Sequence, residues 1–152
     1  MIYIECEPDK VLVKALGISR KEIKHVFSKG NVCNKLEKNI NSKGLVDEDP
    51  LSAQPTYIGK LKLHSHEKNI KLLYDENAQN YLIMLCPTLE EWILKAVKES
   101  GMNIVNFGLP DDVEKLHRTI NIKLGSFENL MEDIKKRRSS MLKTLEGFIK
   151  NK

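Results

Sequence analysis

Cysteine is scarce in this chain, phosphate-cradling glycine loops are missing and long apolar runs do not occur; each shortage excludes a class of function. The three cysteines, Cys6, Cys33 and Cys86, are odd in number and lack CxxC spacing, so disulfide frameworks and thiolate zinc sites are not expected. Their apolar or helical surroundings suit buried, reduced thiols. Neither GxGxxG nor GxxxxGKS/T is present, which leaves nucleotide binding by a glycine cradle without support. No window approaches the roughly 18 to 20 apolar residues of a membrane span. Met1-Ile2-Tyr3-Ile4 runs directly into acids with no basic leader, so a soluble cytoplasmic protein with no membrane association is expected. Internal repeats and low-complexity tracts are absent too.

At 152 residues and 41% hydrophobic content, the chain is sized for one domain with a real core. The formal net charge is +4, yet 21 acids are interspersed among 25 Lys and Arg. Attraction to nucleic acid therefore has to come from local patches rather than from a uniformly basic body.

Hydrophobic patterning predicts alternating strands and helices. A first strand over residues 1–6 leads into a helix opening at Pro8, whose fixed φ and missing N–H suit the first helical position. Val11, Leu12, Ala15 and Leu16 recur there at helical spacing, and Gly17 ends the helix. A second strand over 22–28 runs through Gly30 into a helix bearing Val32, Cys33, Leu36 and Ile40, and a third strand covers 43–47. Pro50, Ser52, Gln54, Pro55 and Gly59 mark an irregular, mobile connection. Apolar residues return at 58–63, 70–74 and 81–86, the last reading as a buried central strand that ends at Pro87. Thr88-Leu89-Glu90-Glu91 reads as a capping box, with Leu89, Trp92, Ile93, Ala96 and Val97 forming the apolar stripe behind it. Trp92 thus belongs to the core rather than to a base-stacking platform. A short helix after Gly108 and one long helix over 126–149, with Phe127, Leu130, Ile134, Met141, Leu145 and Phe148 on one side, complete the pattern. The expected fold class is α/β: a mostly parallel, Rossmann-like sheet covered by helices, with a C-terminal helical extension.

The most informative residues are acids at strand ends. Ile2-Tyr3-Ile4 is followed by Glu5, Glu7 and Asp9, and Gly44-Leu45-Val46 by Asp47, Glu48, Asp49 and Pro50. A parallel sheet aligns the carboxyl ends of its strands along one edge, where ligands bind in open α/β folds. Carboxylates converging there are able to hold a divalent cation. Mg2+ and Mn2+ prefer hard oxygen ligands, usually one or two carboxylates plus water and substrate phosphate. Asp47 and Asp49 share a face if the strand persists; if it bends at Glu48, Asp49 approaches from a turn. Taken alone, Asp47-Glu48-Asp49-Pro50 also suits a solvated turn, and Glu7 reads as a helix cap or an exposed acid.

These residues resemble the Toprim domain, the metal-binding module of topoisomerases, bacterial primases, ribosomal-RNA maturation nucleases and overcoming-lysogenization-defect nucleases. Glu5, with Asp9 four places on, is similar to the motif closing that family's first strand, and Asp47 with Asp49 to its Asp-x-Asp pair. Pro87, Leu89 and Glu90 are similar to the Pro and Leu-Glu that precede the next helix in small stand-alone members. Cys6 stands where the family usually has glycine, and the two motifs are unusually close in sequence. The resemblance implies a Toprim-like domain over 1–107, with a helical extension over 108–152 packed on it. It implies Mg2+ or Mn2+ held by Asp47, Asp49, Glu5 and Asp9, with Glu90 an additional candidate acid. Glu5 would act as general acid or base, or as ligand to a second ion, in breaking or joining a phosphodiester; packing near other acids disfavours its ionised form, which suits proton transfer. The implied activity is that of a nuclease on DNA or RNA. The alternative is a non-catalytic, nucleic-acid- or protein-binding subunit of a prokaryotic defence or mobile-element system, which Cys6 and the small size favour. A receiver-like regulator phosphorylated on Asp47 fits less well, because it leaves Glu5 unused and needs a nearby lysine that the sequence does not identify.

Lys135, Lys136, Arg137 and Arg138 form a basic run on the final helix, suited either to neutralising nucleic-acid phosphates or to a solvated face. The apolar stripe of that helix is expected against the domain, a second copy of the chain or a partner protein. His64-Ser65-His66 sets two imidazoles on one face if extended but lacks a third ligand, so an exposed strand or loop is expected. His25 and His117 belong to no motif.

Overall fold

The computed structural model describes residues 1–151, in which one six-stranded sheet is flanked by six α-helices. In chain order these are β1 (Ile2–Ile4), α1 (Glu7–Ala15), β2 (Ile23–His25), α2 (Lys29–Lys38), β3 (Lys43–Asp47), β4 (Lys62–Glu67), β5 (Ile70–Asp75), β6 (Asn80–Leu85), α3 (Leu89–Glu99), α4 (Val113–Ile120), α5 (Leu124–Lys136) and α6 (Ser140–Lys150). The sheet order is β2-β1-β3-β6-β5-β4. The first four of these strands run parallel, and β5 and β4 add an antiparallel edge. Lys68 and Asn69, both left-handed at φ 52° and 58°, make the two-residue turn that follows the twist of the β4–β5 hairpin. The expected α/β class with a mostly parallel sheet therefore holds, with β6 the central strand that its apolar run suggested.

Period-two alternation divides the core between the two faces of the sheet. Ile2, Ile4, Leu45, Ile83 and Leu85 point to one face, under α1, α3 and the three C-terminal helices. Tyr3, Val46, Leu82 and Met84 point to the other, covered by α2 and the short 3-10 segment Thr56–Lys60. Gly44 belongs to this second face. A Cβ there would lie 2.6 Å from Val32 Cγ1, so the missing side chain is what lets α2 sit directly on β3. On the first face Phe127, Leu130, Met131 and Ile134 of α5 are all fully buried. At about 1.5–3 kcal/mol per buried side chain, that contribution is comparable to the roughly 5–15 kcal/mol net stability of a domain.

Two polar anchors hold the amino-terminal ends of the strands. Buried Asn80 accepts from the Ser42 N–H at 2.8 Å and donates to the Leu36 and Asn39 carbonyls at 2.7 and 2.9 Å, tying β6, β3 and the end of α2 together. Lys43 Nζ donates to the carbonyls of Phe148 (3.1 Å), Ile149 (2.6 Å) and Asn151, which closes the carboxyl end of α6.

Three local expectations are corrected. The single helix over 126–149 is two helices: α5 stops at Lys136, Arg138 turns left-handed at φ 56°, and the Ser139 hydroxyl caps α6 by accepting from the Leu142 N–H at 3.3 Å. A basic last turn followed by a serine is a stop and a new start, and the unbroken apolar stripe concealed it. At Thr88 only half the capping box forms, the Thr88 hydroxyl accepting from the Glu91 N–H at 3.3 Å; the reciprocal pair occurs instead at Ser19 and Glu22. Ile40 lies beyond α2 and is 70% exposed. Among the described residues no helix is long and apolar enough to cross a membrane.

Candidate functional site

From β1 the chain moves outward through α1 to β2, then returns through α2 past β1 to β3, so α1 and α2 lie on opposite faces of the sheet. Such a reversal opens a crevice at the carboxyl ends of the two strands between which it occurs, where ligands bind in open α/β sheets. Here those strands are β1 and β3. The residue after β1 is Glu5, the last residue of β3 is Asp47, and Asp9 lies in the first turn of α1.

The three carboxylates are wired together through backbone. Glu5 Oε2 accepts from the Asp47 N–H at 2.9 Å, Asp9 Oδ2 from the Glu5 N–H at 3.3 Å, and Asp47 Oδ1 from the Leu89 N–H at the start of α3 at 3.0 Å. Asp9 is 1% exposed, and its Oδ1 is buried without any hydrogen-bond partner. Burial raises the Asp47 carboxyl to about 8, helped by the charges of Asp9, Glu5 and Glu90. Burial and the charge of Glu5 raise Asp9 to about 7, opposed by the hydrogen bond it accepts from the Glu5 N–H. Glu5 is raised as well, mainly by burial, while the Asp47 N–H and the Lys29 charge favour its anion. Like charges drawn together out of water hold protons.

Asp49 arrives from a turn, as the bent alternative requires. β3 ends at Asp47, Asp49 is left-handed at φ 42°, and its N–H donates to the Pro87 carbonyl at 2.8 Å. Its side chain is exposed and adds repulsion to Glu5. Glu48 faces away and pairs with Lys71 of β5. Buried Glu90 adds its charge to Asp47 and is held by His117 Nδ1 at 2.6 Å. Glu7 does not cap α1; its side chain is 43% exposed and meets His25 Nδ1 at 3.0 Å. Cys6 has φ −146°, an extended conformation open to any residue, so the backbone does not demand glycine there.

Sequence reasoning missed three residues at this rim: Lys29, His25 and His117. Lys29 Nζ donates to the Glu48 carbonyl at 2.9 Å and to Gln54 Oε1 at 3.2 Å. It supplies the lysine that the phosphoryl-acceptor reading needed, although it bonds the loop and not Asp47. None of the three belongs to a spacing pattern, because their partners are 18 to 27 residues away. The basic run does not join the acids. Arg137 donates to the Ser100 carbonyl at the far end of α3 and pairs with Asp133, about 16 Å along that helix from Leu89 by its rise per residue.

Among the described residues, no three His, Cys, Asp or Glu side chains stand ready as a ligand set for a metal ion. Mg2+ does not ask for one, since it usually takes one or two carboxylates and completes its shell with water and phosphate. The orphaned Asp9 oxygen and the mutual repulsion of Asp9, Glu5 and Asp47 are features that a bound cation would relieve. No protein-family model, curated protein or solved structure matches the chain.

Proposed function

We propose that this chain is a Toprim-type protein that binds Mg2+ or Mn2+ at the rim formed by β1 and β3 and cleaves phosphodiester bonds of DNA or RNA. The observation that carries this reading is the meeting of Glu5 and Asp47, forty-two positions apart, through the 2.9 Å bond from the Asp47 N–H to Glu5 Oε2. Asp47 and Glu5 would hold the ion, with Asp9 behind them and Asp49 at the open side. When bound, the ion would neutralise the carboxylates and stabilise charge on a phosphate. Glu5 would either ligate the ion or, left unligated, carry the proton, since burial favours its neutral form, which suits transfer to or from a reacting oxygen. Residues 1–107 would form the Toprim-type unit, with the helices from 108 onward completing its core.

A second reading keeps the fold and drops the chemistry, leaving a non-catalytic subunit that binds nucleic acid or a partner protein. It is favoured by the commitment of Glu5, Asp9 and Asp47 each to a backbone N–H, a structural use of the same acids. Incubation with plasmid, single-stranded DNA and RNA in Mg2+, Mn2+ or chelator, repeated with Asp47→Asn, separates the two. Cleavage that needs both metal and Asp47 supports the nuclease; binding without cleavage supports the subunit.

A further inference from the structure

Phe27, two residues beyond the carboxyl end of β2, is an aromatic residue displayed rather than packed. It is 77% exposed, and its φ of 76° is left-handed, a conformation that an aromatic side chain rarely adopts and that tends to persist where function requires it. The neighbouring chain holds it there. Val26 is buried and donates its N–H to the Ile4 carbonyl at 2.9 Å, while its own carbonyl accepts from Asn31 Nδ2 at 2.7 Å. The ring of Phe27 rests on His25, with centroids 4.1 Å apart and planes 29° from parallel.

His25 is fixed in turn. Its Nδ1 meets Glu7 Oε1 and its Nε2 meets the carbonyl of Glu5, each at 3.0 Å. Both ring nitrogens therefore face oxygen atoms, which holds the ring at two points. The stack is thus built directly onto the backbone of the acid that anchors the candidate site, and its free side is the outer face of Phe27. Lys29, two residues on, adds a cation to the same rim.

We infer that Phe27 is a stacking platform for a nucleobase adjoining the phosphodiester at the acidic rim, with His25 as the positioning residue that aims it. The inference rests on the nuclease reading for the identity of the ligand. A single aromatic face suits a base because every base has a π-face, and stacking of this kind is tolerant of sequence. A core role is not available to a ring so exposed.

The probes are a fluorescent oligothymidylate and an abasic strand of equal length, titrated in chelator so that no metal-dependent cleavage intervenes, against wild type, Phe27→Ala, Phe27→Trp and Phe27→Gly. Phe27→Ala should weaken oligothymidylate binding about tenfold, within the range measured for loss of one base stack, and leave the abasic strand unchanged. Phe27→Trp should retain affinity and show indole quenching when the base stacks. Phe27→Gly should melt higher than wild type, since glycine accepts the left-handed backbone, while binding the base as poorly as Phe27→Ala. Equal losses for both strands, or no loss, overturn the platform even if cleavage is found. Phe27-dependent base binding without cleavage upholds the platform and overturns only the nuclease. Absence of any oligonucleotide binding by wild type overturns the platform.

Discussion

The two ends of β3 behave oppositely. At its amino end Lys43 offers one charge to the carbonyls that finish α6, three acceptors for one ammonium group, in the polarity that a helix terminus favours. At its carboxyl end Asp47 meets Asp9 and Glu5, charges of its own sign, and one oxygen of Asp9 has no partner. The strand between them is uniformly buried, so the contrast arises from what the connections bring against each end. One rim is satisfied and contributes stability. The other is left frustrated, the usual mark of a place kept for something other than folding.

Glu5→Gln should produce the largest change at the frustrated rim: metal-dependent cleavage falls about 10²–10⁴-fold, while oligonucleotide affinity, read by anisotropy, stays near wild type. Next comes pH. Asp9 and Asp47 keep protons in the folded chain up to about 7 and 8, against an ordinary value of 3.8. The folded state thus binds more protons across that window, and metal-free stability falls as pH rises from about 4 to about 8. The melting temperature in chelator should drop across this range, Asp9→Asn should flatten the profile, and Mg2+ should restore the loss at the alkaline end. At the satisfied rim Lys43→Met should cost about 1.5–3 kcal/mol in urea unfolding and leave cleavage untouched. An effect of Lys43→Met on catalysis would erase the distinction between the rims. Smallest, Thr88→Ala should cost about 1 kcal/mol, since it loosens the first turn of α3, which presents the Leu89 N–H to Asp47.

Much of the scaffold was legible. The 43–47 strand, the Pro8 helix and the central 81–86 run follow from periodicity and punctuation, because burial on one stripe or on both faces leaves a direct trace in residue order. Glu5, Asp9 and Asp47 were legible as strand-end acids for the same reason. The antiparallel hairpin was not, since Lys68-Asn69 is a two-residue turn without the glycine that usually signals one. The break at Arg138 escaped because α5 and α6 share one apolar register across it. Lys29, His25 and His117 were invisible for a different reason: each reaches a partner through the fold rather than along the chain.

Asn80 has an effect at the opposite end of its strand. Its three hydrogen bonds lock β6 against β3 so that Tyr81 stands beside Lys43 and Leu85 beside Asp47. A slip of one residue would turn every side chain of the shifted strand onto the other face of the sheet, moving Pro87 and the Leu89 N–H away from Asp49 and Asp47. The alignment of the acids is thus dictated by a neutral amide a strand's length away, and selection for the site would reach a residue that never approaches a ligand.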